Sequence, residues 1–266
     1  MDAGHGRDGA AQLDGIVASA AGRLSAVVTT DDGWGWQHDP ERVVPSASTI
    51  KVPVLAAALA AVQAGDLQLA DLVDIPVDRV GGSGPLCLLP SVTRLPLGEL
   101  LSLMIALSDN DATNVVLDIL GMERVGELLQ KVPTRHTRLR RRMMDFAAAA
   151  RGLQNETSAG DLAAVLVALR EGRLLDEAHT RTALEILRTQ QMGDGLPAYL
   201  PETITVASKT GDLFGVRADV ALLERGRRWV VVAVVATDLD DGERDRGTGV
   251  LASFAAIGEL AGHLLH

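Results

Sequence analysis

Ser48-Thr49-Ile50-Lys51 stands at the head of a long apolar segment, residues 50–64, which predicts a helix buried on most sides. Residues three positions apart share one face of a helix, so the Ser48 hydroxyl and the Lys51 amine are expected side by side. A serine hydroxyl becomes a nucleophile when a base takes its proton, and a lysine with a lowered pKa can act as that base. Ser48 is therefore a candidate nucleophile and Lys51 its candidate base, although the same pattern also marks an ordinary helix N-terminus. Pro53 predicts that the turn bearing Ser48 is kinked or partly 3₁₀, unless the proline falls within the first helical turn.

Lysine is rare in this chain, which makes the position of each lysine informative. Arginine supplies most of the 25 positive charges, and the three lysines are Lys51, Lys131 and Lys209. An amine that must lose its proton has to be lysine, because arginine stays charged. Two of the three lie in short motifs, Ser48-Thr49-Ile50-Lys51 and Lys209-Thr210-Gly211, and Ser108-Asp109-Asn110 lies between them. Ser108 and Asn110 also suit a simple capping turn between two helices.

Strand patterns occur near both ends of the chain. Residues 10–21 have helical periodicity, and residues 24–30 and 34–38 predict two strands joined at Asp32-Gly33. Near the other end, residues 216–223 and 229–237 predict two strands, and residues 248–265 predict a closing helix.

The central part of the chain is predicted to be helical, with residues 67–96 irregular and no strand between residues 40 and 202. The predicted helices after residue 96 are 97–107, 112–120, 122–130, 145–151, 158–170 and 176–192. The pattern predicts an α/β (α+β) fold in which an antiparallel sheet, built from both chain ends, is flanked by the terminal helices. Residues 1–45 and 200–266 would form the sheet subdomain and residues 46–199 an inserted all-helical subdomain, with the active site in the crevice between them.

Composition excludes several classes of protein. The net charge of −10 disfavours a nucleic-acid partner, whose phosphates require a basic face. The basic run at residues 135–142 is interpreted as a solvated loop or helix surface, with a site for an anionic partner as the alternative. Cys87 is the only cysteine and the six histidines are scattered, so neither a disulfide, a metal site nor a cofactor is expected.

The sequence also sets expectations about location and assembly. No apolar run of about 18 residues is present, so no membrane span is expected. Residues 1–15 lack the apolar core of a secretory signal, which favours a cytoplasmic protein, or an exported one if a leader has been removed. The expected partner is a small-molecule substrate, and a monomer is favoured.

The three motifs, taken together, resemble one family. Ser48 and Ser108 are separated by 60 positions, Ser108 and Lys209 by 101, and the order is Ser-x-x-Lys, Ser-Asp-Asn, Lys-Thr-Gly. This set is similar to that of the class A β-lactamases and penicillin-binding proteins, which are serine acyl-enzymes. The resemblance extends over nearly the whole chain, including the strand regions at both ends.

The resemblance implies a role for each matching residue. Ser48 would be the nucleophile, Lys51 its base or proton relay, and Ser108 the group that passes a proton to the leaving group. The backbone N–H groups of Ser48 and Asp212 would form the oxyanion hole. For substrate binding, the resemblance implies that Asn110 holds the substrate amide and that Lys209 sets the electrostatics of the cleft. Thr210 and Gly211 belong to the same motif as Lys209, and Thr210 would bind a substrate carboxylate. Arg217 would be an additional cation for that carboxylate.

One expected residue is absent. Class A β-lactamases carry a glutamate that activates water for deacylation, in a loop before the segment matching Asn155-Glu156-Thr157-Ser158. Between Glu127 and Glu156 this chain has no glutamate, and an ungapped alignment places arginine near the expected position. Asp145 is the only carboxylate there. It is a candidate substitute base, although a helix cap or a salt bridge to the arginine run is favoured.

The sequence therefore predicts a serine hydrolase that works through an acyl-Ser48 intermediate, with β-lactam hydrolysis as the leading activity and slow deacylation. A D,D-peptidase or an esterase of the same fold is one alternative. A sensor that binds a β-lactam covalently without turnover is the other.

Overall fold

The computed structural model describes residues 3–240 and 248–266 of the chain. The helices are α1 (Ala3–Ser19), α2 (Lys51–Gln63), α3 (Leu97–Ala106), α4 (Asn110–Leu120), α5 (Met122–Leu129), α6 (Phe146–Ala150), α7 (Ala159–Arg170), α8 (Glu177–Arg188) and α9 (Leu251–His263). The strands are β1 (Arg23–Thr30), β2 (Gly35–His38), β3 (Val44–Pro45), β4 (Leu72–Asp74), β5 (Arg94–Pro96), β6 (Glu156–Thr157), β7 (Thr205–Leu213), β8 (Val216–Arg225) and β9 (Arg228–Thr237). Residues 1 and 2, which belong to the segment 1–15 that lacks the apolar core of a secretory signal, lie outside this description.

Five strands from the two ends of the chain form one antiparallel sheet. Its order is β2-β1-β9-β8-β7, so the N-terminal hairpin pairs directly with the last strand. β9 lies at the centre and is buried on both faces, which explains why its sequence is an almost unbroken run of valine and alanine. The sheet predicted from both chain ends is thus confirmed.

Alternating residues of the sheet face two hydrophobic cores. On one face, Val230, Val232 and Val234 pack with Leu13 of α1 and Phe254 of α9. On the other face, residues of β8 and β9 join one continuous core with the helices of the central part of the chain. Helix α7 packs on this second face, against β9 and β1. The proposed division into residues 1–45 with 200–266 and residues 46–199 stays a prediction.

The expectation of no strand between residues 40 and 202 was wrong. β3 pairs with β6, and β4 pairs with β5, in two small antiparallel ladders. Each of these strands is only two or three residues long. Such a strand is too short to show the two-residue alternation of apolar side chains by which strands are recognised in a sequence.

The basic run at residues 135–142 forms an extended loop rather than a helix. Arg138 makes an isolated antiparallel bridge with Glu156. Two further arginines of the run form salt bridges, Arg140 with Glu156 at 2.9 Å and Arg142 with Asp118 at 2.6 Å. Much of the positive charge is therefore paired with acidic side chains at the surface.

The entry to α2 has the irregular backbone that Pro53 predicted. Residues Ala47–Ile50 form a 3₁₀ turn, and α2 begins at Lys51. Pro53 lies in the first turn of α2, where a missing backbone N–H costs no helical hydrogen bond. The sequence motif is therefore divided between the 3₁₀ turn, which carries Ser48, and the start of α2, which carries Lys51.

Across residues 3–240 and 248–266, no helix combines the length and the apolar character needed to cross a membrane.

Candidate active site

A cleft of about 570 Å³ opens between the β7 end of the sheet and the helical part of the chain. Its lining brings together residues that are far apart in the sequence. They are Ala47, Ser48, Gly82, Ser83, Ser108, Asn110, Arg141, Met143, Met144, Phe146, Asn155, Met192, Thr210, Asp212, Leu213 and Phe214. Five residues predicted from the sequence are among them: Ser48, Ser108, Asn110, Thr210 and Asp212.

Strand β7 packs closely against the turn that carries Ser48. A Cβ atom at Gly211 would lie 3.0 Å from the Ala47 Cβ and 3.2 Å from the Ser48 backbone nitrogen. Glycine at this position therefore allows the strand to approach the Ser48 N–H. Ala47 has a positive φ of 46°, a conformation that costs a non-glycine residue roughly 1–2 kcal/mol. The packing thus holds the backbone beside Ser48 in a conformation that the isolated chain would avoid.

The Lys51 side chain is fully buried beneath the cleft. Its ammonium group donates to the Ser108 carbonyl oxygen at 2.7 Å, to the Ser108 hydroxyl at 3.1 Å and to Asn110 Oδ1 at 3.0 Å. A proton on this amine can therefore pass to or from the Ser108 hydroxyl. Lys51 thus connects the Ser-x-x-Lys motif to the Ser-Asp-Asn motif.

In the Ser-Asp-Asn turn, Asp109 is the helix cap, whereas Ser108 and Asn110 contact Lys51. Asp109 is the cap of α4, because its carboxylate accepts hydrogen bonds from the Ala112 N–H at 2.8 Å and the Leu86 N–H at 2.9 Å. Ser108 has a positive φ of 53°, and both Ser108 and Asn110 contact Lys51. The buried cap therefore fixes the turn, and the residues on either side of it face the site.

Burial changes the acid–base behaviour of both motif lysines. Removal from water lowers the pKa of Lys51 well below its ordinary 10.5, and the positive charge of Lys209 lowers it further. Burial also lowers the pKa of Lys209 to about 7, while the negative charge of Asp219 opposes that change. A lysine with a lowered pKa can be a neutral amine at physiological pH, which is the form that accepts a proton.

The Lys-Thr-Gly motif lies on β7 at one wall of the cleft. The Lys209 ammonium donates to the Thr210 carbonyl oxygen at 3.0 Å, and the Thr210 hydroxyl lies 3.4 Å from the Met192 sulfur. Asp212 follows the motif and forms a 3.1 Å salt bridge with Arg217, which is itself buried. The Arg217 guanidinium also donates to the Leu213 carbonyl at 3.0 Å, so it supports the β7–β8 turn and lies outside the cleft lining.

The loop at residues 135–146 forms another wall, and buried polar side chains hold it in place. Asp161 accepts hydrogen bonds from the three backbone N–H groups of residues 135–137. Asn155 Oδ1 accepts from two more, at residues 140 and 141, and its Nδ2 donates to the residue 141 carbonyl. Asn114 then pairs with both backbone groups of Met143, at 2.8 and 3.1 Å. The Met143 position is therefore fixed at the edge of the cleft.

Asp145, the candidate substitute base, caps α6. Its carboxylate accepts a hydrogen bond from the Ala148 N–H at 2.8 Å, and the residue is not part of the cleft lining. Among the described residues that do line the cleft, Asp212 is the only carboxylate, and it is paired with Arg217.

Sequence reasoning missed several residues that shape the site. Asn114 and Asn155 hold the loop, and Phe146 and Phe214 lie in the cleft lining. Asn114 lies four positions after Asn110, one helical turn along α4, and that spacing is the only sequence signal that could have indicated it. Phe146 falls in the predicted helix 145–151 and Phe214 before the predicted strand 216–223, but neither pattern indicates that the ring lines the cleft.

This arrangement is suited to acyl transfer. A serine hydroxyl lies in the cleft, two buried amines lie beneath it, and a second hydroxyl lies within hydrogen-bond distance of one amine. Strand β7 approaches the backbone nitrogen of Ser48 closely at Gly211, so the residue after the Lys-Thr-Gly motif lies near the Ser48 turn. Such a site defines a serine hydrolase.

A family model described as the β-lactamase enzyme family matches residues 9–260. The chain belongs to this family, and the resemblance inferred from the motifs is confirmed.

Individual relatives agree with the family assignment. A β-lactamase of Rhodobacter capsulatus is 28% identical in an alignment of 240 residues, which covers 85% of this chain and 81% of the relative. The crystal structure of a β-lactamase from Sphaerobacter thermophilus is 30% identical, with a TM-score of 0.87 over 96% of this chain and 97% of the other. An ancestral class A β-lactamase is 26% identical, with a TM-score of 0.86 over 96% and 99% of the two chains.

Proposed function

We propose that this serine hydrolase reacts with β-lactams by acylation of Ser48 and hydrolyses the resulting acyl-enzyme slowly. The observation that carries the proposal is the burial of Lys51 between Ser108 and Asn110, at the foot of the cleft that Ser48 lines. Burial lowers the pKa of the Lys51 amine, and a neutral amine can remove the Ser48 proton.

The proposed reaction begins with attack of the Ser48 oxygen on the substrate carbonyl. The Ser48 proton passes to the Lys51 amine, and the backbone N–H groups of Ser48 and Asp212 stabilise the negative charge on the carbonyl oxygen. The proton then moves from Lys51 through the Ser108 hydroxyl to the leaving nitrogen as the amide bond breaks. Lys209 and Thr210 attract the carboxylate of the substrate, and Asn110 holds its side-chain amide.

Slow deacylation follows from the groups that line the cleft. Class A β-lactamases use a glutamate to activate water for hydrolysis of the acyl-enzyme, and Asp212 is the only carboxylate in the described lining. It is engaged with Arg217, and Asp145 caps α6. The same observation favours the second candidate function, a D,D-peptidase or an esterase of the same fold, whose acyl donor is a peptide or an ester.

The test is intact-protein mass spectrometry after mixing with benzylpenicillin, together with a turnover assay on a chromogenic cephalosporin. We expect a lasting adduct of one penicillin on the wild-type chain and none on Ser48→Ala. Rapid turnover without a lasting adduct would refute slow deacylation, and Asp145→Asn would then show whether Asp145 is the base. The absence of both an adduct and turnover would overturn the β-lactam proposal.

A further inference from the structure

Two phenylalanine side chains are exposed in the cleft. Phe146 is 63% exposed and Phe214 is 87% exposed, and both belong to the cleft lining. The chain has only three phenylalanines, and aromatic residues make up 3% of the sequence. A phenylalanine contributes most to folding when it is buried, so two exposed rings in one cleft are better explained by a ligand than by stability.

Flexible apolar side chains complete this part of the lining. Met143, Met144 and Met192 line the same cleft, as does Leu213 beside Phe214. Methionine adapts to irregular shapes, and its sulfur makes favourable contacts with aromatic rings. Three of the six methionines in the chain therefore line this cleft, where they could contact an aromatic group of a ligand.

Ordered backbone holds both phenylalanines. Phe146 is the first residue of α6, directly after the Asp145 cap. Phe214 lies in the turn between β7 and β8, where Arg217 binds the carbonyl of the preceding residue at 3.0 Å. The rings therefore start from defined positions, and a ligand would not have to order the loops that carry them.

The charges of the site lie beneath this apolar surface. Lys51 and Lys209 are fully buried at the foot of the cleft, and the Ser48 turn lies next to them. A ligand that fits such a site carries an anionic group near its reacting carbonyl and an apolar group directed towards the cleft mouth.

We propose that Phe146, Phe214 and the three methionines form an aromatic subsite, which selects acyl donors carrying an apolar side chain of about the size of a phenyl ring. This inference rests on the proposed function, because it assigns the acyl donor of the same Ser48 reaction. Acyl donors with a small or a charged side chain are disfavoured.

The test compares two boronic acids that differ only in their side chain, phenylacetamidomethylboronic acid and acetamidomethylboronic acid. Both probe an active serine, whether its natural acyl donor is a β-lactam, a peptide or an ester. The Ser48 oxygen forms a bond to the trigonal boron, the hydroxyl proton passes to the Lys51 amine, and no group leaves the boron. The dissociation constant of each compound is measured by calorimetry for the wild type and its variants.

We expect the wild type to bind the phenylacetamido compound at least about tenfold more tightly, since aromatic contacts of this kind are each worth a factor of a few to about ten. Phe214→Ala and Phe146→Ala should each reduce this preference severalfold, with little effect on the acetamido compound. Tyr199→Ala is the matched control, because Tyr199 is an aromatic residue that is 58% exposed outside the cleft lining. It should leave the preference unchanged.

The outcomes separate the two proposals. Equal affinity of the wild type for the two boronates would overturn the aromatic subsite and leave the Ser48 reaction intact. A preference that persists in both phenylalanine variants would also overturn it. If neither compound binds, or if both bind to Ser48→Ala with the affinity of the wild type, the proposed nucleophile is wrong, and so is the subsite. Thermal melts of the variants exclude unfolding as the cause of a lost preference.

Discussion

At the scale of single residues, the site contains two buried lysines whose pKa values are lowered. Both are fully buried, so each loses the hydration that stabilises its charged form. Lys51 has in addition the positive charge of Lys209 nearby, and that charge disfavours a second ammonium. Burial and a neighbouring positive charge therefore both lower the pKa of Lys51.

Lys209→Met should consequently shift the pH dependence of acylation. Lys51 acts as a base only when it is neutral, so acylation is lost as pH falls through its lowered pKa. Removing the Lys209 charge raises the pKa of Lys51, which moves the acidic limb of the rate profile to higher pH. The measurement is the second-order rate constant for acylation by benzylpenicillin between about pH 4.5 and 9.

The third lysine provides the control for this shift. Lys131 is exposed on the surface, so Lys131→Met removes the same charge from the chain without changing the surroundings of Lys51. Its acidic limb should coincide with that of the wild type. An unshifted limb in Lys209→Met would show that the charge of Lys209 does not act on the base.

At the scale of elements, the loop before α6 determines which side chains line the cleft beside Ser48. Asn114 pairs with both backbone groups of Met143, and Asn155 fixes the preceding residues. Because Asn114 contacts only the backbone of residue 143, the position of the loop does not depend on which side chain this residue carries. A methionine there provides apolar contact and no base.

Met143→Glu should therefore accelerate deacylation. The carboxylate would enter the cleft on a backbone that is already fixed, where it could activate water against the acyl group. General-base catalysis of this kind contributes roughly 10²–10⁴-fold, so we expect the lifetime of the penicillin adduct to fall at least about a hundredfold. The adduct is followed by intact-protein mass spectrometry after free penicillin is removed.

Met192→Glu is the matched control, since Met192 lines the same cleft on a different segment, near Thr210. We expect it to leave the adduct lifetime close to that of the wild type. An unchanged lifetime in Met143→Glu, in a variant that still acylates, would refute the role assigned to this position. An equal shortening of the adduct lifetime in Met143→Glu and Met192→Glu would also refute that role.

At the scale of the whole molecule, the sequence was sufficient for four of the five strands of the sheet and for the three motifs, whereas no strand was predicted at β7. The continuous apolar run of β9 and the hairpin at Asp32-Gly33 are strong local signals, and both elements lie as predicted. The strands of two or three residues were missed, because their pairing depends on the positions of the larger elements. The sequence did not decide between a loop and a helix surface for the basic run, because Asp161 and Asn155, which hold the loop, come later in the chain.

The same limit applies to the walls of the site. Short motifs predicted which polar residues meet in the cleft, since each motif requires a particular chemistry. They could not place Phe146, Phe214 or the methionines in the cleft, because none of these residues belongs to a motif. Their presence in the cleft is a consequence of how the loops are held, and only the three-dimensional structure shows it.

Asp219 connects the site to the stability of the whole fold. It lies on β8, opposite Thr210 in the pairing with β7, and is only 1% exposed. One carboxylate oxygen accepts a hydrogen bond from the Leu196 N–H at 3.0 Å, and the other has no hydrogen-bond partner among the described residues. Burial raises its pKa from 3.8 to about 7, so the folded chain favours the protonated form.

The pH dependence of stability should therefore change in Asp219→Asn. Between about pH 4 and 7 the folded wild type binds more protons at Asp219 than the unfolded chain does, so this residue's contribution to stability falls as pH rises through that window. An amide does not titrate, and the variant should become progressively more stable relative to the wild type from pH 5 to pH 7.5. Urea denaturation at both values measures the difference, with Asp78→Asn at an exposed position as the control. A difference between wild type and Asp219→Asn that is equal at the two pH values would show that Asp219 is already ionised in the fold at pH 5.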